Sequence, residues 1–263
     1  MTRLERKMAE LAAAGKKGLI VYVTAGAPDE ETSVRAIVEA AKAGADVIEF
    51  GLPFSDPMAD GPVIQAAAVK ALRGGMNSAR ELELLKEIRK QTDVPIVGMG
   101  YANPIHHYGY GKFVRDFKAA GMDGVIVPDM PHEESAELRE IAAKEDFHVV
   151  EFVAPGTSPE RMRETCADAK GFIYCVSNNG VTGEKKIDYA PIGRVCETAR
   201  AFTKTPLAVG FGIGSPEAAV AAEAHADAVI VGSAVVRRLL DGKFDEAIRF
   251  IRSLRAALDA MQK

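Results

Sequence analysis

Glu49 and Asp60 frame the stretch of this chain best equipped for proton chemistry. Glu49 lies near the end of the apolar run Asp46-Val-Ile-Glu-Phe50, which reads as a β-strand, and it shares one side of that strand with Val47. A carboxyl group at the carboxyl end of a buried strand loses hydration. Its pKa rises toward neutrality, where it can both give and take protons. The plainer alternative is a structural acid paired with a Lys or Arg, but charged residues are rarely buried without a function. The strand runs into Gly51-Leu-Pro-Phe-Ser-Asp-Pro-Met-Ala-Asp60-Gly61-Pro62, a loop with three prolines that carries Asp56 and Asp60. Asp60 reads equally well as a second working carboxylate and as the N-cap of a helix opening at Pro62.

Glycine-rich turns offer a second chemistry. Gly210-Phe-Gly-Ile-Gly-Ser215 ends one apolar run, and Gly232-Ser233 follows another and opens a helix. Backbone N–H groups in such turns, with a helix dipole behind them, bind phosphate. Ser177-Asn-Asn-Gly-Val-Thr-Gly-Glu-Lys-Lys186 is polar and punctuated by glycine, and reads as a surface loop or as a lid. His106, His107, His132, His148 and His225 are scattered, without H-E-x-x-H or Cys/His spacing, and there is no G-x-S-x-G elbow or Walker loop. Neither a metal centre nor a nucleophilic triad is expected. Cys166, Cys175 and Cys196 are odd in number and lack ligand spacing, as buried thiols in a reducing cytoplasm would.

These groups have to be held by the elements around them. Short apolar runs rich in β-formers recur at 19–24, 46–50, 95–100, 124–127, 147–153, 171–176, 206–211 and 227–231. Most are continuous and not alternating, as parallel strands covered on both faces require. Segments of helical period separate them; in 29–43, Val34, Ile37, Val38 and Ala41 form one apolar stripe. Ser158-Pro-Glu160 and Ser215-Pro-Glu217 each combine an N-cap serine, a first-turn proline and an acid. An open doubly wound sheet can be written from alternating elements. Eight strand–helix units in this length, without a long crossover, favour a (β/α)8 barrel instead. The expected architecture is therefore a single TIM-barrel domain over residues 1–263. An extra N-terminal helix plugs its bottom, and the segment 62–91 holds more helix than one crossover needs. A formal net charge of −4 argues against a nucleic-acid partner. No apolar run approaches membrane-spanning length, and the basic, Glu10-interrupted N-terminal segment lacks the core and cleavage site of a signal peptide, so the cytoplasm is the expected compartment.

The string Ile48-Glu-Phe-Gly-Leu-Pro-Phe-Ser-Asp-Pro-Met-Ala-Asp-Gly-Pro-Val-Ile-Gln65 closely resembles the signature of the tryptophan synthase α-chain family. Thr24-Ala-Gly26, Tyr101-Ala-Asn-Pro104, Pro128-Asp-Met-Pro131, Tyr174, Gly180-Val-Thr-Gly183, Gly210-Phe-Gly212 and Gly232-Ser-Ala234 follow in the family's order, so the resemblance spans essentially the whole chain. It implies that Glu49 is the general acid/base and that Asp60 is the carboxylate beside the indole nitrogen. Thr182, Gly183, Gly212, Gly232 and Ser233 match substrate-binding positions, four of them phosphate-binding, and Tyr101, Tyr174 and Phe211 match pocket residues. Two departures stand out. Val21-Tyr22 replaces a frequent Pro-Phe and puts the Tyr22 phenol near the indole pocket. Asn178-Asn179 and Glu184-Lys-Lys186 flank the GVTG where an arginine is frequent.

The resemblance implies retro-aldol cleavage of indole-3-glycerol phosphate to indole and glyceraldehyde 3-phosphate in L-tryptophan biosynthesis. It implies no cofactor in this chain, pyridoxal phosphate only in a β-subunit partner, and an αββα assembly. Pro53, Asp56 and Pro57, which have no evident chemical role in the loop that ends at Asp60, are candidates for contact with that partner. Two other readings fit less well: a sugar-phosphate isomerase barrel, against which the long Pro-Phe-Ser-Asp loop argues, and an interaction subunit that chiefly activates its partner, against which the intact acid pair argues.

Overall fold

The structure, a computed structural model, describes residues 1–176, 189–210 and 212–261. Its strands are β1 (Gly18–Thr24), β2 (Val47–Gly51), β3 (Ile96–Met99), β4 (Gly124–Ile126), β5 (His148–Val153), β6 (Ile173–Val176), β7 (Leu207–Gly210) and β8 (Ala228–Val231). All eight expected strands are present, with ends within two residues of those expected. Each pairs in parallel with the next, and β8 returns to β1 with Gly18 opposite Ala228 and Val21 opposite Val231. The sheet is thus a closed barrel, and the expected TIM architecture is the one observed. The continuous apolar runs explain why. Every residue of β1, β2, β3, β4, β7 and β8 is buried, one face toward the barrel interior and the other toward helices.

Helix α1 (Arg3–Ala13) precedes β1, and α2 (Glu30–Lys42) follows it. Two helices, α3 (Pro62–Arg73) and α4 (Ser78–Arg89), fill the connection from β2 to β3, which accounts for the surplus helical pattern there. The next connection also holds two, α5 (Ala102–Tyr108) and α6 (Tyr110–Ala120). Of these α5 was not anticipated; Pro104 is its third residue, where no intrahelical N–H is needed. Then come α7 (Ala136–Lys144), α8 (Pro159–Asp168), α9 (Ala190–Arg200) and α10 (Pro216–Glu223), one after each of β4 to β7. After β8 the short α11 (Ser233–Leu240) precedes α12 (Phe244–Ala260). Ser158 and Ser215 cap α8 and α10 by accepting the Arg161 and Ala218 N–H groups, as their Ser-Pro-Glu strings led us to expect. Among the described residues no helix is long and apolar enough to cross a membrane.

The amino ends of the strands form a face devoted to cohesion. Leu4, Met8 and Leu11 of α1 are buried, and a Thr2/Glu5 capping box fixes the helix start. Thr2 Oγ1 lies 2.7 Å from His148 Nε2, and Arg3 pairs with Asp123 at 3.1 Å, so α1 is tied to the starts of β4 and β5. Three aspartates standing just before strands repeat one device. Asp46 accepts the Leu19 N–H, Asp123 the Ile96 N–H and Asp227 the Leu207 N–H, each on the preceding strand. Each also meets an arginine: Arg255, Arg89 and Arg200 respectively.

Glu81 on α4 contrasts with these. It is 5 % exposed, forms no ion pair among the described residues, and burial pushes its pKa up to about 8 against the opposing hydrogen bond of Ser78. Below the ordinary glutamate range both the folded and unfolded states are protonated, and burial of the neutral acid exacts no ionisation penalty. As pH rises the unfolded chain ionises while the folded one resists, so stability falls until about pH 8. Glu81→Gln, neutral at every pH, should raise the thermal midpoint by several degrees at pH 8 and leave it nearly unchanged at pH 5. Calorimetric scans of both proteins at the two pH values check this.

Candidate active site

Glu49 lies on β2 near its carboxyl end, between Tyr22 of β1 and Val97 of β3 in the ladder register. Only 4 % of it is exposed, and no cation pairs with it among the described residues. Burial first, and then the negative charge of Asp60, push its pKa up to about 8. The carboxyl is therefore mostly protonated at neutral pH, an acid that can be drawn on. Glycine makes the space around it. Gly51, two residues on and on the same side of the strand, could carry no β-carbon without striking the Tyr22 phenol, and Gly210 stands in the same relation to the Tyr174 phenol. Thr24 donates to the Tyr22 hydroxyl at 3.3 Å, and Phe152 packs on Tyr174 with ring centroids 5.3 Å apart. Glu49, Tyr22 and Tyr174 line one cleft.

Asp60 is not a helix cap. The N-cap of α3 is Gly61, with no side-chain hydrogen bond, so the structural reading of Asp60 as a cap is not the one realised. Instead Asp60 Oδ2 accepts a hydrogen bond from Tyr101 Oη at 2.9 Å, and the same hydroxyl accepts the Ala59 N–H at 3.1 Å. Tyr101 is 2 % exposed and packs against Phe54 at 5.3 Å between centroids. It thus stands behind the carboxylate, tethering the loop to the end of β3. Burial raises the Asp60 pKa to about 6, and the Tyr101 bond restrains the rise. Glu49 feels the charge of Asp60, whereas Asp60 is governed by burial and the Tyr101 bond. The asymmetry follows from the order of ionisation: Asp60 loses its proton while Glu49 is still neutral.

The cleft continues from this pair to Gly212, Gly232 and Ser233. Gly232 is the N-cap of α11 and carries no capping side chain, so the first N–H groups of that helix are offered to whatever enters. Ser215 opens α10 on the same cleft. A β-carbon at Gly232 would touch nothing closer than Tyr22 Cβ at 3.4 Å; the protein itself does not demand glycine there. Thr182, Gly183 and Phe211 fall outside the described residues, as does all of the 177–186 segment expected to be a loop. Along the loop from Pro53, Asp56 is exposed and accepts from Ser55 Oγ at 2.5 Å, and Met58 is 81 % exposed, while Pro53 and Pro57 are half-buried. Tyr189, which lines the cleft, was missed: a tyrosine between a polar segment and a helix start carries no sequence signal.

The family model described as "Tryptophan synthase alpha chain" matches residues 8–263. The tryptophan synthase alpha chain of Caldanaerobacter subterraneus subsp. tengcongensis is 40 % identical over 263 residues, covering 98 % of this chain and 100 % of its own. That of Halorhodospira halophila is 42 % identical over 264 residues, covering 100 % and 96 %. The crystal structure of tryptophan synthase subunit alpha from Legionella pneumophila str. Paris superposes with a TM-score of 0.92 at 35 % identity and covers 99 % of each chain.

The Tyr101 bond stabilises Asp60 in its charged form. Tyr101→Phe should therefore raise the Asp60 pKa further, by about one unit if the lost bond is worth about 1.4 kcal/mol. Carbon-13 NMR titration of the side-chain carboxyls, with Asp60→Asn to assign the signal, measures the shift. A Tyr101→Phe protein with an unchanged Asp60 titration would mean that the bond does not govern that charge.

Proposed function

The chain belongs to the tryptophan synthase alpha chain family, a carbon–carbon lyase family of tryptophan biosynthesis, and on that premise we propose how Glu49 and Asp60 divide the cleavage of indole-3-glycerol phosphate between them. The observation that carries the proposal is the contrast between two carboxyls on one cleft, Glu49 buried without a cation among the described residues and Asp60 held by the Tyr101 hydroxyl, surroundings that push their pKa values to about 8 and about 6. Between those values Glu49 is an acid and Asp60 an anion. Paired groups whose environments separate their pKa values take separate roles.

Breaking the bond between indole C3 and the glycerol chain needs an electron sink in the ring. Protonated Glu49 gives its proton to C3, and the ring becomes an indolenine cation with an electron-poor N1–H. Asp60, ionised and held in place by Tyr101, accepts a hydrogen bond from that N1–H where the positive charge develops. Glu49, now a carboxylate, takes the proton of the hydroxyl on the carbon joined to C3. That carbon becomes the aldehyde of glyceraldehyde 3-phosphate, the C–C pair returns to the ring, and indole is released. One proton leaves Glu49 and one comes back, so the group ends as it began. The phosphate, bound at Gly212, Gly232 and Ser233 with Gly183, orients the reacting bond from a distance. Tyr22 and Tyr174, with Phe211, shape the indole end. No step calls on a cofactor in this chain, and pyridoxal phosphate belongs to the β partner of an αββα assembly in the cytoplasm.

Indole release from indole-3-glycerol phosphate, followed against pH, tests the division of roles. kcat/KM should be bell-shaped, falling below about pH 6 as Asp60 is protonated and above about pH 8 as Glu49 ionises. Glu49→Gln should lose cleavage by orders of magnitude with the fold retained, and a variant keeping a tenth of the parent turnover would remove Glu49 from the mechanism. Asp60→Asn should lose most activity and move the remaining alkaline limb to lower pH, because the charge that raises Glu49 is gone.

The loop that ends at Asp60 reaches solvent at Asp56 and Met58, yet its last turn is pinned to Tyr101. A β subunit seated on Pro53, Asp56 and Pro57 would thereby set the position of Asp60. The isolated chain should be slow and a β subunit should accelerate it. Asp56→Ala should remove a larger fraction of the stimulated rate than of the basal rate when the two are measured side by side. Equal fractional losses would place Asp56 inside the site and end its coupling role.

A further inference from the structure

Tyr189 stands at the N-cap of α9 and lines the cleft that holds Glu49, Asp60, Gly212 and Gly232. The residue is 7 % exposed, and its hydroxyl is buried with no hydrogen-bond partner among the described residues. It is not spent on capping: α9 has no side-chain cap, and it is the Tyr189 carbonyl that accepts the Gly193 N–H, at 2.9 Å. The ring packs into the hydrophobic core, a task that phenylalanine would perform without burying an unmatched hydroxyl. Leaving a buried donor unpaired costs free energy that the fold has no need to spend. By contrast the hydroxyl of Tyr22 meets Thr24, and that of Tyr101 meets Asp60.

The place of Tyr189 narrows what the donor can meet. It follows β6 in the chain and opens the helix leading to β7, on the carboxyl-end face where the cleft lies. In the closed barrel β6 is four strands from β2 in either direction, so Tyr189 stands across the cleft from Glu49. Its neighbours in the strand order are the Gly212–Ser215 turn after β7 and Gly232 after β8, which offer backbone donors. Burial pushes the phenol pKa up, which keeps the group a donor throughout the neutral range.

We propose that the Tyr189 hydroxyl is a further substrate-binding donor, directed at a phosphate oxygen at the end of the substrate remote from Glu49. The proposal rests on the phosphate-bearing substrate inferred above. It assigns Tyr189 to binding and not to the proton steps.

Tyr189→Phe removes the hydroxyl and keeps the ring. Calorimetric titration of the full chain with inorganic phosphate, and separately with indole, reads the two ends of the cleft. Roughly three- to tenfold weaker phosphate binding is expected with indole binding unchanged, and steady-state cleavage should show a similar rise in KM at constant kcat. Phosphate affinity and KM equal to those of the parent overturn the proposal, and so does a loss confined to indole. A purely structural role would lower the thermal midpoint and weaken both ligands alike, which also counts against it. If the parent chain released no indole from indole-3-glycerol phosphate, the functional reading would fall by itself, and the phosphate titration would still decide the role of Tyr189.

Discussion

Burying a carboxyl group without a counter-ion costs free energy, and at Glu49 the barrel bears that cost on the wall of its cleft. At the amino ends of the strands the same fold treats Asp46, Asp123 and Asp227 in another way, giving each a strand N–H and an arginine, although only Asp123 is buried. Among the described residues Glu49 has neither an arginine nor a lysine partner, and the charge that acts on it is that of another acid, Asp60. Glu49, like Glu81 on α4, is buried without such a partner, and of the two only Glu49 opens on the cleft. An arginine beside Glu49 would hold it ionised at neutral pH and remove the proton that the proposed mechanism draws on.

The second carboxyl depends on a contact between segments far apart in the chain. Tyr101 comes from the end of β3 and Asp60 from the loop after β2, and the phenol joins the carboxylate to the backbone of Ala59. A loop with three prolines, of which only the last turn is held in this way, can be mobile at its exposed bend and fixed at its functional end. Parallel register supplies the rest. Tyr22 and Glu49 are ladder partners, so the phenol and the acid share a level of the barrel, and Gly51 makes the room the phenol needs.

The eight strands were legible because runs such as Leu19–Thr24 and Ala228–Val231 are apolar without alternation, which only doubly covered strands require. Glu49 was legible because it is the wrong type of residue for its run. Asp60 was not, because a helix cap and a working carboxylate call for the same residue at the same place before Pro62; resemblance favoured one, and the Gly61 cap with the Tyr101 bond separates them physically. Tyr101 itself matches a pocket position by resemblance. Its placement behind Asp60 depends on the packing of two loops, which no local pattern encodes. The same holds for the arginine partners of the strand-leading aspartates: Asp46 and Arg255 are brought together only when the last helix returns to the first strands.

The cleft draws its polarity near the acids from phenols, and the choice has a physical reason. Burial and the neighbouring carboxyls raise the pKa values of Tyr22, Tyr101 and Tyr174, so all three remain neutral hydroxyls wherever Glu49 and Asp60 change state. A neutral donor can orient a carboxylate or a substrate oxygen at a cost in pKa much smaller than that imposed by a full positive charge. Lysines at these positions would bind anions more strongly, but they would also draw Glu49 down into the ordinary carboxylate range. The site can therefore be polar and still keep one acid protonated only if its donors near Glu49 are uncharged. Backbone N–H groups at the start of α11, beside Gly232 and Ser233, meet the same condition at the other end of the cleft, where the proposed phosphate would be held by dipoles and would leave the acid pair to titrate on its own terms.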